Sequence, residues 1–185
     1  MAPVIPIAAF LVIAILAWWV FRVVARDYQV NGRLTSRSSF LETAIFFVHG
    51  CSSYVYLDSQ LSAIEFGSMT FVLAATLIGL GLVALYISMS RLGWVVSIGQ
   101  DPEGLHQAGL YRFSRNPQIV AYFFVVVGYS LLWPSLLGAI WVALYLVIAH
   151  MMVRTEEQHL ASVFGDEYRE YCDGTPRYVG PTKKP

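Results

Sequence analysis

Charge is scarce in this chain. Of 185 residues only 13% are Asp, Glu, Lys or Arg, against about a quarter in an average soluble domain. The twelve basic and twelve acidic residues cancel, so no bulk attraction to nucleic acid is expected. Cysteine is nearly absent too. Cys51 and Cys172 lie in unlike surroundings. They make neither a disulfide framework nor a zinc site, which needs about four ligands. There is no phosphate-binding loop, no glycine-rich dinucleotide fingerprint after a strand and no nucleophile elbow. No internal repeat or low-complexity stretch divides the chain, so residues 1–185 read as one domain.

What is abundant is apolar length: 57% of residues are hydrophobic, and they come in blocks. Five segments stand out, at about 4–24, 40–57, 67–90, 117–133 and 135–153. Each approaches or exceeds the length needed to cross roughly 30 Å of hydrocarbon. Backbone groups in lipid must be satisfied within the segment, so all five are expected to be helices. The expected fold is therefore an all-α polytopic membrane protein. Helices one to three occupy residues 1–90, and the linker, helices four and five and the tail occupy 91–185. Trp133-Pro134-Ser135 leaves room only for a tight hairpin between helices four and five. Arg22 and Arg26 close the first apolar run instead of preceding it, which fits a retained helix and not a cleaved signal.

Every Lys and Arg falls on one side of this five-helix weave. Arg22, Arg26, Arg33 and Arg37 follow segment one. Arg91, Arg112 and Arg115 lie between segments three and four. Arg154, Arg169, Arg177, Lys183 and Lys184 follow segment five. The positive-inside rule then puts the N-terminus outside and the C-terminus in the cytoplasm. Small residues at helical spacing, Ala75 with Gly79 and Ala139 with Ala143, are expected to allow close helix contacts. Helix five is expected to run through VRTEEQHLASVF and stop at Gly165. Asp166 would then cap a short interfacial helix, DEYREYC.

Two cytoplasmic stretches could carry chemistry. The linker ends in GLYRFSRNP, from Gly109 to Pro117. Headgroup anchoring by Arg112 and Arg115, with Pro117 starting a helix, accounts for it without function. In the tail, Glu156 and Glu157 follow the apolar end of helix five. A solvated face accounts for these also. However, His150, Arg154 and Glu157 share one helical face at interface depth, where polar groups usually face a bundle interior or a wet cavity. Glu42, three residues after Ser39, fits a capping box. His49 and Cys51 read as a buried, hydrogen-bonded histidine and a small packing residue.

The two stretches taken together resemble the isoprenylcysteine carboxyl methyltransferase family, which is related to the phospholipid methyltransferases. Its pattern is roughly G-x-Y-x-x-x-R-H-P-x-Y, a short hairpin, then E-E-x-x-L, F-G-x-x-Y-x-x-Y and a late Arg. The matching residues are Gly109, Tyr111, Arg115, Pro117, Glu156, Glu157, Leu160, Phe164, Gly165, Tyr168, Tyr171 and Arg177. Asn116 stands where the family has His, Ile119 where it has Tyr, and Glu103 where a His is frequent. The resemblance implies methyl transfer from S-adenosylmethionine to a lipophilic or prenylated acceptor, above all the carboxylate of a prenylated cysteine. It places the cofactor in a cytoplasmic pocket built by linker and tail. Glu156 and Glu157 would take its ammonium or ribose diol, and Arg115 or Arg154 its carboxylate. Leu105, His106 and Tyr111 would wall its adenine. Glu103, Gly109, Asn116 and Pro117 complete the expected cofactor set, and Arg154, Glu157 and Arg115 the catalytic one, with no metal. Membrane lipid is the expected surrounding partner, and a monomer could hold the whole site. An intramembrane NADPH-dependent reductase and a non-catalytic membrane scaffold are the competing classes.

Overall fold

Apolar runs of this length become helix because lipid offers the backbone no alternative partner. The computed structural model describes residues 4–57, 64–92 and 104–180, without the side chains of 55–57 and 91–92. Among them lie five α-helices and no strand. They are α1 (Val4–Asn31), α2 (Ser36–Leu57), α3 (Met69–Leu92), α4 (Pro117–Leu132) and α5 (Leu136–Gly174). A 3-10 turn, Gly109–Arg112, precedes α4. Each expected segment coincides with one of these helices, overrunning it by at most two residues. Three of them, α1, α3 and α5, are long and apolar enough to cross a membrane, with mean hydropathy of 2.6, 2.3 and 2.2. They mark the chain as a membrane protein. The 16 residues of α4 reach only about 24 Å, and α2 is less apolar.

The outer surface is that of a protein dissolved in lipid. Leu80, Leu82, Val83 and Tyr86 of α3 and Leu11 and Ile15 of α1 are all exposed. Polar links and close packing therefore hold the helices together, since lipid is as apolar as leucine. Phe10, Ile13, Ala17, Val20 and Val24 form the buried stripe of α1. They share one core with Trp141, Leu144, Tyr145 and Ile148 of α5. Trp141 Nε1 donates to the His49 carbonyl at 2.9 Å and the Ser52 hydroxyl at 3.1 Å. His49 Nε2 lies 3.1 Å from the Trp141 carbonyl, and the two rings stack at 4.6 Å. His49 is thus the buried, bonded core residue expected. Cys51 is not a packing residue, because its position on α2 turns it outward. The Tyr145 hydroxyl donates to the Ile119 carbonyl at 2.6 Å, which ties α4 to α5.

The close helix contact lies elsewhere than expected. α3 packs mainly along α4, and the residues at the crossing are Gly81 and Gly128. A Cβ at Gly81 would sit 2.7 Å from the Ala121 carbonyl oxygen, and one at Gly128 would sit 2.7 Å from that of Ala74. Gly79 faces open space, and Ala75, Ala139 and Ala143 are exposed. Spacing alone located small residues but not the face they occupy.

The start of α2 also corrects an expectation. The Asp27 carboxylate, near the end of α1, accepts from the Thr35 backbone N–H at 2.9 Å and its hydroxyl at 2.6 Å. Thr35 Oγ1 in turn accepts from the Ser38 N–H at 3.4 Å. Thr35 is the cap, so the helix begins a turn before Ser39, and Glu42 has no capping box to complete. At the other end of the chain, Ser135 caps α5 by accepting from the Gly138 N–H at 3.0 Å. Helix continues past Gly165, but that residue breaks it with φ 54° and ψ −119°. The Asp166 carboxylate accepts from Arg169 at 2.7 Å.

Four contacts gather the polar helix ends. Asp27 holds α1 to the start of α2, and Tyr28 stacks on His159 of α5 at 4.0 Å. Ser88 of α3 neighbours Tyr111, and Asn116, at the start of α4, reaches the tail. The end of α1, the start of α2, the end of α3, the start of α4 and the polar part of α5 therefore share one end of the bundle.

Candidate functional site

The linker residues before α4 are shaped by local geometry. Gly109 takes φ 64°, which opens the 3-10 turn at no Cβ cost. The Phe113 N–H closes the turn on the Leu110 carbonyl at 3.1 Å. Pro117 then occupies N1 of α4 and is buried. Tail and linker run across one another here. The Arg115 N–H donates to the Pro176 carbonyl at 3.0 Å. Asn116 Nδ2 donates to the Arg177 carbonyl at 2.9 Å. The Tyr171 hydroxyl donates to the Tyr111 carbonyl at 2.7 Å. Asn116, standing where the resemblance expects His, thus holds the tail to the head of α4.

An ion cluster sits inside this crossing. Glu157 of α5 receives Arg115 Nη1 at 3.1 Å and Arg177 Nη2 at 2.7 Å, with Arg177 Nε adding a bond of 2.9 Å. The Arg115 and Glu157 side chains are only 13% and 12% exposed. Arg115 also reaches the Tyr168 hydroxyl at 3.5 Å and the Cys172 thiol. The hydrogen bond and charge of Glu157 push Arg177 up from its ordinary value. Burial, then the Glu157 charge, pushes the Tyr168 hydroxyl up. Two features are unspent. Arg115 Nε is buried without a hydrogen-bond partner, and so is Glu157 Oε1, although the latter lies beside Arg115 Nη1.

The neighbouring carboxylates, Glu156 and Glu157, diverge because successive helical residues point about 100° apart. Glu156 forms no ion pair with any described residue. Burial, and then the charge of Glu157, hold it up to about 7. It lies within electrostatic reach of Tyr111, Tyr28 and Glu42.

Beside the ion cluster runs an apolar groove of about 760 Å³ between α4 and α5. Ile119, Phe123, Tyr145, Val147, His150 and Tyr178 are among its walls. Tyr178 follows Arg177 directly, so the groove's polar limit adjoins the cluster.

The expected site residues therefore separate. Arg115, Asn116, Pro117, Glu157 and the Tyr111 backbone come together. Glu156 is half-buried and lies within electrostatic reach of Tyr28 and Glu42 instead. Arg154 is exposed, and the cations on Glu157 are Arg115 and Arg177 in its place. His150 lies in the groove. His106 is exposed and Leu105 half-buried. Glu103 falls outside the described residues. Sequence reasoning quoted Arg177, Tyr168 and Tyr171 in the motif but gave them no role, and it gave Cys172 none. The spacing of Tyr168, Tyr171 and Cys172 at i, i+3 and i+4 was the available signal.

A nearly buried and an exposed arginine on one carboxylate, an adjoining apolar groove and a second, half-buried carboxyl suit a small zwitterionic ligand beside a lipophilic one. Comparison with curated proteins and with solved structures gave no match. The sequence model of the phospholipid methyltransferase family matches residues 69–167, which takes in α3, the linker, α4 and most of α5, more than half of the chain. The chain belongs to the phospholipid methyltransferase family.

Proposed function

We propose that this membrane protein transfers a methyl group from S-adenosylmethionine to a lipophilic acceptor. Family membership carries methyl transfer and a lipid-like substrate. The observation that carries the rest is the Arg115–Glu157–Arg177 cluster, in which linker, α5 and tail converge on one buried carboxylate. The donor set fits the methyl donor. The unpartnered Arg115 Nε is a ready donor for its carboxylate. Glu157, freed from one arginine by that exchange, can accept from its ammonium or ribose. Leu105, Tyr111 and Gly109 stand close in the chain for the adenine.

The bound methyl donor supplies an electrophilic methyl on a sulfonium. In the transfer the acceptor's lone pair forms the new bond to that carbon. The carbon–sulfur bond breaks, and its electron pair stays on sulfur as a neutral thioether. Positioning and water exclusion do most of the work. Asn116 contributes by pinning the tail over the site. The apolar groove fits the acceptor's hydrocarbon part, and its Tyr178 end would present the reacting head to the cluster. A carboxylate acceptor, as on a prenylated cysteine, needs no base. An amine acceptor needs one, and His150 in the groove or Glu157 is placed for it.

Calorimetry of the purified protein with S-adenosylmethionine tests the cofactor. Binding is expected, and Arg115→Ala or Glu157→Gln should weaken it about tenfold or more. Absence of heat at millimolar cofactor with folded protein overturns the reading, and binding of NADPH in its place identifies a reductase. Mass spectrometry of lipid extract after incubation with methyl-labelled cofactor then identifies the acceptor.

A further inference from the structure

We propose that the cleft between the end of α1 and the polar part of α5 binds the head of an anionic, hydroxyl-bearing phospholipid, with its phosphate at Arg22 and its hydroxyls against His159. The cleft holds about 170 Å³, room for several waters or one small head. α1 supplies Ala25, Tyr28 and Gln29 to its walls, and α5 supplies Thr155, His159 and Ser162. It shares no residue with the groove between α4 and α5, and none of Arg115, Glu157 and Arg177 lines it.

His159 marks the cleft as a site. It is 7% exposed, and its ring stacks on Tyr28 at 4.0 Å. Its carbonyl accepts from the Ser162 hydroxyl at 2.7 Å, but its ring nitrogens bond to no described residue. Buried polar groups are ordinarily bonded, and the cleft is the side from which a partner can come. Burial holds the ring below its ordinary value, so near neutral pH it presents one N–H donor and one bare nitrogen acceptor. The Thr155 and Ser162 hydroxyls spend their hydrogens on the Met151 and His159 carbonyls at 2.9 and 2.7 Å, which leaves their oxygens as acceptors. No charged residue lines the cleft. A hydroxyl, which donates and accepts without charge, fits such walls. An ammonium would find no carboxylate in them.

Depth selects a lipid as the carrier of those hydroxyls. Trp18, Arg22, Ala25 and Gln29 stand at i, i+4, i+7 and i+11, on one stripe of α1. Arg22 lies 4.9 Å over the Trp18 ring, a pairing of cation and aromatic suited to headgroup level. It forms no ion pair with a described residue. Ala25 is about 4.5 Å further along the axis, in the cleft. In the other direction the exposed Ile15 and Leu11 continue the stripe. A hydrocarbon chain on Leu11 and Ile15, a phosphate at Arg22 and a head in the cleft therefore fall in line. Arg154, exposed on α5 and next to Thr155 in the chain, adds a second cation at the rim.

The test is equilibrium binding to the full chain in amine-oxide micelles, whose heads carry no hydroxyl. S-adenosylmethionine is left out, so the outcome is independent of the methyltransferase reading. The probes are single-chain phospholipids of one chain length with glycerol, ethanolamine or methyl-ester heads, and glycerophosphoglycerol, which has the glycerol head and no chain. The glycerol lipid should bind about tenfold more tightly than the other two. His159→Phe keeps a ring for the Tyr28 stack and should erase that preference. Ser162→Leu, at an exposed position, fills the cleft and makes the same test should His159→Phe fail to fold. Arg22→Gln should weaken all three lipids about fivefold and keep their order. Equal affinity for the glycerol and methyl-ester heads, tighter binding of ethanolamine, or a preference that survives both His159→Phe and Ser162→Leu overturns the site. Glycerophosphoglycerol bound as tightly as its lipid overturns the assignment to a membrane lipid.

Discussion

Glu156 and Glu157 are chemically identical and adjacent, yet they have opposite surroundings. Glu157 spends its charge on two arginines, whereas Glu156 is half-buried, pairs with no cation among the described residues and sits beside a like charge. Its carboxyl is raised from the usual 4.5 to about 7. The folded protein therefore holds this proton more tightly than the unfolded chain does. The stability this lends is fully present below about 4.5 and is lost as pH rises through about 7. Glu156→Gln stays neutral throughout. Without ligand, its Tm should match the parent's near pH 5 and exceed it near pH 8, by an amount corresponding to about 1–3 kcal/mol. Thermal denaturation in detergent across that range checks this, and equal pH slopes in the two proteins would refute it. Residue identity was readable in the sequence here, but residue direction was not. The doublet announced a site, and Arg154 stood near Glu157 in the chain. Only the fold shows that Arg177 returns to Glu157 from twenty residues further on, and that Glu42 lies within electrostatic reach of Glu156.

The helices themselves were legible because their cause is local. A long apolar run in lipid has one backbone solution, so all five emerged in place, as did the break at Gly165. Their boundaries were less legible where a cap came from a distant residue, as Asp27 does for Thr35. Packing was the least legible, because small residues occur on several faces and only the crossing tells which are needed. That difference can be measured. Gly128→Ala puts a methyl 2.7 Å from the Ala74 carbonyl oxygen and should cost about 1–3 kcal/mol by overpacking the α3–α4 crossing. Gly79→Ala meets open space and should be neutral or stabilising by up to about 1 kcal/mol. Parallel melting curves of the two variants decide the point. A similar loss in both would show that helix propensity, and not the close approach, governs these glycines.

At the scale of the molecule, one-sided charge and the observed weave support each other. The sequence puts every Lys and Arg on one side if five helices alternate in direction. The structure brings those same ends together through Asp27, Tyr28, Ser88 and Asn116. The positive-inside rule then predicts that these basic loops lie on the cytoplasmic side. Arg22 lies 4.9 Å over the Trp18 ring, a cation and an aromatic placed as an interfacial anchor at the same end. Single-cysteine labelling tests the orientation. Cys51 and Cys172 are the free thiols, and Cys51→Ala with Cys172→Ser supplies the background. Glu65→Cys, in the exposed connection before α3, should react with a membrane-impermeant maleimide in intact cells. Asp173→Cys, exposed near the end of α5, should react only in inverted vesicles. The reverse pattern would put the ion cluster and the polar end of the groove on the outer face. The twelve basic residues would then have to be held there against the bias that orients other membrane proteins, and the weave would keep its geometry while losing its electrostatic cause.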